Sequence, residues 1–101
     1  MSRHFGLSLV ILFLMTATVS RAADQGAALY KSKCSGCHGA KGEGKPAVKA
    51  PALKGTALDA GQIADQITKG KPESKAPHNK GMAGVSDDQA KAIADYVKTL
   101  Q

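Results

Sequence analysis

The hydrophobic positions near the C-terminus recur at helical spacing. These positions lie three or four residues apart and are Ala90, Ile93, Val97 and Leu100. Tyr96 lies beside them. Directly upstream, Ser86 and Gln89 have the spacing of a capping box, in which each side chain caps a backbone N–H of the first turn. The pattern therefore predicts a helix that begins at Ser86.

Two further segments have helical patterns. Residues 24–34 have helical composition, with Leu29 and Tyr30 in a run that is rich in alanine. In residues 59–69, Ile63 and Ile67 lie one turn apart on one face, behind an aspartate that can act as the N-cap. A glycine follows this segment and is expected to close the helix.

The remaining segments are rich in glycine and proline. Residues 39–55 and 71–85 are predicted to be loops, and no segment alternates at period two for long enough to be a strand. The sequence thus predicts an all-α fold of three or four short helices with long connections. Loops of this length in a small domain usually enclose something or carry a function.

The first 22 residues differ in composition from the rest. Arg3 and His4 precede an apolar run from Phe5 to Met15, and small residues end the segment at Ala22. This order is typical of a secretory signal peptide, which we expect to be cleaved after Ala22. An uncleaved membrane anchor is the alternative, but the apolar run is shorter than the roughly 20 residues that a span needs. We therefore expect one exported, periplasmic domain over residues 23–101, without stable membrane insertion.

Size and charge narrow the function classes. The chain of 101 residues has room for one small domain and is too short for a barrel or a doubly wound sheet. Domains of this size bury only about 60% of their unfolded surface and usually need a disulfide, a metal or another group in the core. Positive charges exceed negative ones by 14 to 8. Nucleic acid is not the expected partner, because no basic recognition helix is present.

Residues 34–38 form the motif Cys-x-x-Cys-His, the attachment signature of a c-type haem. Cys34 and Cys37 lie on one face of a single helical turn, where both thiols can form thioethers with the vinyl groups of one porphyrin. His38 lies four residues after Cys34, so its imidazole can reach the iron. The motif predicts one covalently attached haem c per chain.

Other uses of the two cysteines are less consistent with the sequence. A disulfide between Cys34 and Cys37 would close a very small loop and stabilise little. A thioredoxin-like motif needs a βαβ context, and no strands are predicted. The two cysteines could also bind zinc together with His38 and His78. However, a Cys and a His that are adjacent in the chain, as Cys37 and His38 are, rarely point both side chains at one tetrahedral ion.

A haem that only carries electrons needs a second axial ligand, usually Met or His. Residues 23–101 contain one methionine, Met82, in the glycine-rich loop before the last helix. Its alternative use is as a core residue. His78 in the same loop is the other candidate ligand, and its alternative use is as a solvated loop histidine.

Taken together, residues 24–100 resemble the class I monohaem cytochromes c, particularly the small bacterial periplasmic ones. The motif at residues 34–38 carries the resemblance, and Gly26 and Tyr30 are similar to the family's glycine–aromatic pair, which crosses the last helix. The resemblance implies the cytochrome c fold, wrapped around the haem.

The resemblance also implies roles for residues outside the motif. In the segment Ala-Pro-Ala-Leu at residues 50–53, the Pro51 carbonyl would accept a hydrogen bond from Nδ1 of His38, and Leu53 would pack against the haem. Met82 matches the axial methionine by position. The sequence departs from the pattern at Ala83, where many members have proline, and in the loop before Met82.

With both axial positions filled by His38 and Met82, no site is open for a substrate, so we expect an electron carrier and no enzyme. Its twelve lysines either form an ordinary solvated surface or form a basic ring around the exposed haem edge. A basic ring would steer the protein to acidic patches on redox partner proteins. We expect a monomer that acts as a periplasmic shuttle. A dedicated subunit of a dehydrogenase or oxidase is the alternative, and a haem enzyme or sensor with a displaceable sixth ligand is a third hypothesis.

Overall fold

A computed structural model describes residues 19–101, with side chains from residue 23 onward. It contains four α-helices, α1 (Val19–Lys33), α2 (Ser35–His38), α3 (Ala60–Thr68) and α4 (Asp87–Val97), and one 3-10 helix (Pro46–Val48). Within residues 19–101 there is no strand, and the one isolated β-bridge pairs Lys45 with Ala50. The expected all-α fold is therefore confirmed. The predicted signal peptide lies in residues 1–22, outside the described side chains.

Helices α3 and α4 both begin with a complete capping box. In α4, the Ser86 hydroxyl accepts from the Gln89 N–H at 3.2 Å, and the Gln89 side chain accepts from the Ser86 N–H at 2.9 Å. Asp59 and Gln62 make the same pair of bonds at the start of α3, at 2.7 and 3.0 Å. Each cap satisfies two backbone groups that the first turn leaves unpaired. Both helices accordingly begin where the sequence predicts.

Helices α1 and α3 pack against α4 and form the hydrophobic core. Its buried members come from these three helices: Tyr30, Ile63, Ile67, Ala90, Ile93, Ala94 and Val97. The rings of Tyr30 and Tyr96 pack at a centroid distance of 5.3 Å and an angle of 51°. This geometry is favourable for an aromatic pair.

The crossing of α1 and α4 depends on Gly26. A Cβ atom at this position would lie 3.0 Å from the carbonyl carbon of Ala92 and 3.1 Å from Cβ of Tyr96, and would overlap the Ala92 carbonyl oxygen. An interior glycine costs a helix about 1 kcal/mol relative to alanine. The close approach of the two backbones explains why α1 contains one. The helices cross at this glycine, as the resemblance implies.

Among residues 19–101, no helix combines the length and the apolar character needed to cross a bilayer.

Candidate haem-binding site

The Cys-x-x-Cys-His motif forms the short helix α2 and the turn that joins it to α1. The Cys34 N–H donates to the Tyr30 carbonyl at 2.8 Å, so α1 continues into the motif. The His38 N–H then donates to the Cys34 carbonyl at 2.9 Å, which closes one helical turn between the two residues. The motif therefore has the single-turn geometry that brings its cysteine and histidine side chains together.

Both motif thiols are free. Cys34 is half-buried and packs against the hydrophobic core, whereas Cys37 is exposed. Burial raises the pKa of the Cys34 thiol, and the neighbouring Lys33 ammonium opposes this shift. The two cysteines do not form a disulfide. In the part of the chain that the structure describes, no three His, Cys, Asp or Glu side chains lie close enough together to hold a metal ion.

The imidazole of His38 is buried and oriented by a backbone carbonyl. Its Nδ1 lies 2.9 Å from the carbonyl oxygen of Pro51, within hydrogen-bond distance. This contact, which the resemblance implies, leaves Nε2 as the ring nitrogen available to a metal. A carbonyl acceptor on Nδ1 fixes the tautomer and ring orientation of a ligand histidine and raises its basicity.

The loop of residues 39–55 brings Pro51 to His38 through backbone hydrogen bonds. Lys45 and Ala50 exchange two bonds, at 3.0 and 3.2 Å, and Pro51 follows directly. The carbonyl of Gly42 accepts from the N–H groups of Leu53 and Lys54 at 2.7 and 2.9 Å. The Pro51 carbonyl is therefore held in place by the loop on both sides.

Two contacts hold the motif and were not predicted from the sequence. The buried Tyr30 hydroxyl donates to the Gly39 carbonyl at 2.7 Å, immediately after the motif. The Lys45 ammonium donates to the Gly36 carbonyl inside α2 at 3.1 Å. Both contacts depend on the path of the chain after the motif, for which the sequence has no local pattern.

Leu53 and Met82 both lie half-buried against the core, as does Cys34. The Met82 N–H donates to the Ile67 carbonyl at 2.8 Å, which fixes the methionine backbone to α3. The preceding Gly81 allows this contact, because a Cβ there would lie 2.9 Å from the Thr68 carbonyl carbon and would overlap its oxygen. The loop of residues 71–85 is thus held against the end of α3.

His78 comes close to His38 although 40 positions separate them in the chain. Their ring centroids are 6.0 Å apart, with the ring planes inclined at 38°. His78 is half-buried, and its Nδ1 atom is buried without a hydrogen-bond partner. Burial, and to a lesser extent the proximity of His38, lowers the pKa of His78. A fully solvated loop histidine, one of the sequence-based alternatives, is therefore not what the structure contains.

These residues fit a covalently bound haem iron. Two free thiols lie one turn apart, a carbonyl-oriented imidazole follows them, and a thioether and a second imidazole come from the loop before α4. The buried unpaired Nδ1 of His78 is a further sign that a group belongs there, since buried polar atoms in proteins are otherwise paired.

Comparison with known proteins agrees with this reading. Residues 21–97 match the family described as "Cytochrome C oxidase, cbb3-type, subunit III". The chain is also 35% identical, over 103 aligned positions, to cytochrome c-553 from Nitratidesulfovibrio vulgaris (strain DSM 19637 / Miyazaki F), with 93% of each chain covered.

The chain therefore belongs to the cytochrome c family, and it is similar to the small monohaem members. Membership confirms the resemblance noted from the motif and the expected cytochrome c fold. At the level of the family, the implied cofactor is covalently bound haem c, and the implied activity is the transfer of electrons to and from redox partner proteins.

Proposed function

We propose that this protein is an exported, periplasmic electron carrier that holds one electron on a haem c, with His38 and Met82 as the axial ligands. The observation that carries the proposal is the geometry around His38. Its imidazole follows two free thiols on one helical turn, and its Nδ1 lies 2.9 Å from the Pro51 carbonyl. Signal-peptide cleavage after Ala22 would leave residues 23–101 as the working domain.

The side chains have separate tasks in this proposal. Cys34 and Cys37 would attach the porphyrin, and Pro51 would hold the imidazole of His38 at a fixed orientation. Leu53 would cover the ring, and Met82 would fill the remaining axial position. The haem supplies one-electron redox chemistry, and an axial methionine raises its reduction potential. With both axial positions occupied, the chain offers no site for a substrate, which favours electron transfer over catalysis.

The surface charge supports a protein partner with acidic patches. Eleven of the twelve lysines are exposed, and Lys98 is half-buried. Within the described side chains, one of them, Lys69, forms a salt bridge, at 3.5 Å to Asp65. Eight exposed carboxylates offset part of this charge, and the 12 lysines exceed them by four over residues 23–101. This positive excess speeds encounters with acidic proteins in a salt-dependent way. Small, weak encounters suit a shuttle that must release each partner.

A second candidate function is a dedicated subunit of a larger oxidase or dehydrogenase. The description of the matching family as an oxidase subunit favours this candidate. A free shuttle would purify alone, whereas a subunit would co-purify in a stable complex at high salt. Size-exclusion chromatography of the native protein at low and high salt distinguishes the two.

Intact mass and spectra of the purified protein test the proposal. The chain should be expressed with its leader in a host that matures c-type cytochromes. We expect the mass of residues 23–101 plus one haem, low-spin spectra in both oxidation states, and the weak far-red band of methionine sulfur on ferric iron. Met82→Ala should abolish that band. A mass of bare polypeptide would contradict haem attachment, and a band unchanged in Met82→Ala would contradict the ligand assignment.

The thioether role is tested by removing one thiol at a time. Cys34→Ala and Cys37→Ala should each weaken or abolish covalent attachment, as seen from haem that is extracted by acid and organic solvent. Ser35→Ala, between the two cysteines, is the matched control and should keep full attachment. Undiminished covalent haem in either cysteine variant would contradict its role.

A further inference from the structure

The rings of His38 and His78 are as far apart as two imidazoles that bind one metal ion from opposite sides. Metal–imidazole bonds are about 2.0–2.1 Å long in zinc sites, so imidazoles bound on opposite sides of one ion have ring centroids roughly 6 Å apart. The observed centroid distance is 6.0 Å. The inclination of 38° between the ring planes is compatible with this arrangement, because each ring can rotate about its own metal bond.

The polar environment of His78 also suggests an absent partner. Its Nδ1 is the only buried side-chain nitrogen or oxygen without a hydrogen-bond partner among the described side chains. Buried polar atoms in folded proteins are otherwise almost always paired.

The backbone holds His78 in this place. The His78 carbonyl accepts from the Lys71 N–H at 2.8 Å and from the Gln66 side-chain amide at 3.1 Å. The His78 N–H donates to the Lys75 carbonyl at 2.9 Å. Gln66 lies on α3, the helix that also holds the Met82 backbone through Ile67. One helix therefore anchors both candidate ligands of the loop.

From these observations we propose that His78 is a reserve axial ligand. When the Met82 sulfur is absent or released, the His78 imidazole binds the same iron opposite His38. The exchange breaks one iron–sulfur bond and forms one iron–nitrogen bond. It needs no electron, and a neutral imidazole has no proton to lose. This inference rests on the proposed haem site. It adds a second state of the carrier, in which His38 and His78 bind the iron. The reduction potential of this state is lower, because an axial methionine raises the potential.

The test compares holoprotein variants by electron paramagnetic resonance, absorption and potentiometry. Met82→Leu removes the sulfur and conserves volume, a change that cores tolerate well. We expect the far-red sulfur band to vanish while the ferric haem stays low-spin and the midpoint potential falls. Adding His78→Ala to Met82→Leu should then convert the haem to high-spin and allow the ferrous form to bind carbon monoxide readily.

Asn79→Ala in the same Met82→Leu background is the matched control, because Asn79 is the exposed neighbour of His78. It should stay low-spin. Should Met82→Leu mature poorly, Met82→Ala gives the same comparison. A high-spin single variant would overturn the reserve role, and so would a low-spin double variant. A wild-type protein without the sulfur band would show that Met82 is not the resting ligand and would overturn it too. A wild-type chain without haem would instead contradict the proposed function itself.

Discussion

Tyr30 shows how one side chain links the core to the haem motif. It is almost fully buried, at 1% exposure, yet it carries a hydroxyl. The hydroxyl donates to the Gly39 carbonyl at 2.7 Å, so the burial leaves neither group unpaired. The ring packs on Tyr96 and the hydroxyl fixes the backbone directly after His38. Tyr30 therefore contributes to the core and positions the motif at the same time.

The pKa of Tyr30 makes this contact measurable. Burial, assisted by the neighbouring Cys34 and Glu43, raises the pKa of Tyr30 from 10.0 to about 12. Below pH 10 the phenol is neutral in both states, and its contribution to stability is complete. Between pH 10 and pH 12 the unfolded chain loses the proton before the folded chain does. The free energy of unfolding therefore falls as the pH rises through this window.

We accordingly expect Tyr30→Phe to destabilise the holoprotein by about 1 kcal/mol near neutral pH, the typical net value of one hydrogen bond. The difference from wild type should shrink and then change sign between pH 10 and pH 12, because the rise in pKa from 10.0 to about 12 outweighs one hydrogen bond. Denaturant unfolding at each pH measures it. Groups common to both proteins cancel in this difference. Tyr96→Phe is the matched control and should retain the pH dependence that belongs to Tyr30. A difference between wild type and Tyr30→Phe that stays constant up to pH 12 would contradict the assignment.

At the scale of the elements, the crossing of α1 and α4 determines which residue can stand at position 26. The backbone of α4 passes so close that even one methyl group at Gly26 overlaps the Ala92 carbonyl. Neither backbone can move freely, because α4 also packs on α3 and α1 leads directly into the motif. The crossing therefore couples helix packing to the position of the cysteines.

Gly26→Val should destabilise the holoprotein by roughly 1–3 kcal/mol through overpacking. Thermal or denaturant unfolding of the oxidised protein measures this cost. Ala28→Val is the matched control, because it adds a β-branched side chain to the exposed side of the same helix. It should cost only the small difference in helix propensity, which is within about 0.7 kcal/mol. Equal stabilities of the two variants would mean that the crossing at Gly26 carries no packing constraint.

The elements also show which features could be predicted from the sequence. Helix α4 was predictable because its cap and its apolar spacing are local patterns. Helix α1 extends upstream to Val19, beyond the segment 24–34 that was predicted, because Ala22 and Ala23 continue its alanine-rich composition. The full capping box of α3 is also encoded locally, in Asp59 and Gln62, although only the cap at Asp59 was predicted.

Contacts between residues that are far apart in the chain could not be predicted from local patterns. The proximity of His78 to His38 depends on how α3 anchors the loop before α4, and no periodicity encodes it. The Lys45 contact with Gly36 likewise depends on the path of a loop. The Pro51 contact with His38 could be expected only by resemblance to the family, since 13 positions separate the two residues. The sequence thus predicted which residues belong to the candidate site. The distances between them could be read only from the folded structure.

At the scale of the whole molecule, the polypeptide alone forms a small core. Seven hydrophobic side chains are buried among the described residues, and two of them are alanines. Domains of this size rarely gain more than about 3–5 kcal/mol from a single core. Several other apolar side chains lie only half-buried around this core, including Leu53 and Met82 at the proposed haem site. A haem against these side chains would complete their burial.

We therefore expect the chain without haem to be largely unfolded. Cys34→Ser with Cys37→Ser removes both attachment points and changes little volume, and this double variant should lose most of its far-UV helical signal. The wild-type chain produced without haem maturation separates the effect of the serines from that of the missing haem, and it should be equally unfolded. Haem-loaded wild type should unfold cooperatively in the same buffer. If either haem-free chain retained the helical signal and a cooperative thermal transition, α1, α3 and α4 would form a sufficient core by themselves. The haem would then bind to a chain that folds without it, and the length of the loops would need an explanation other than enclosing the haem.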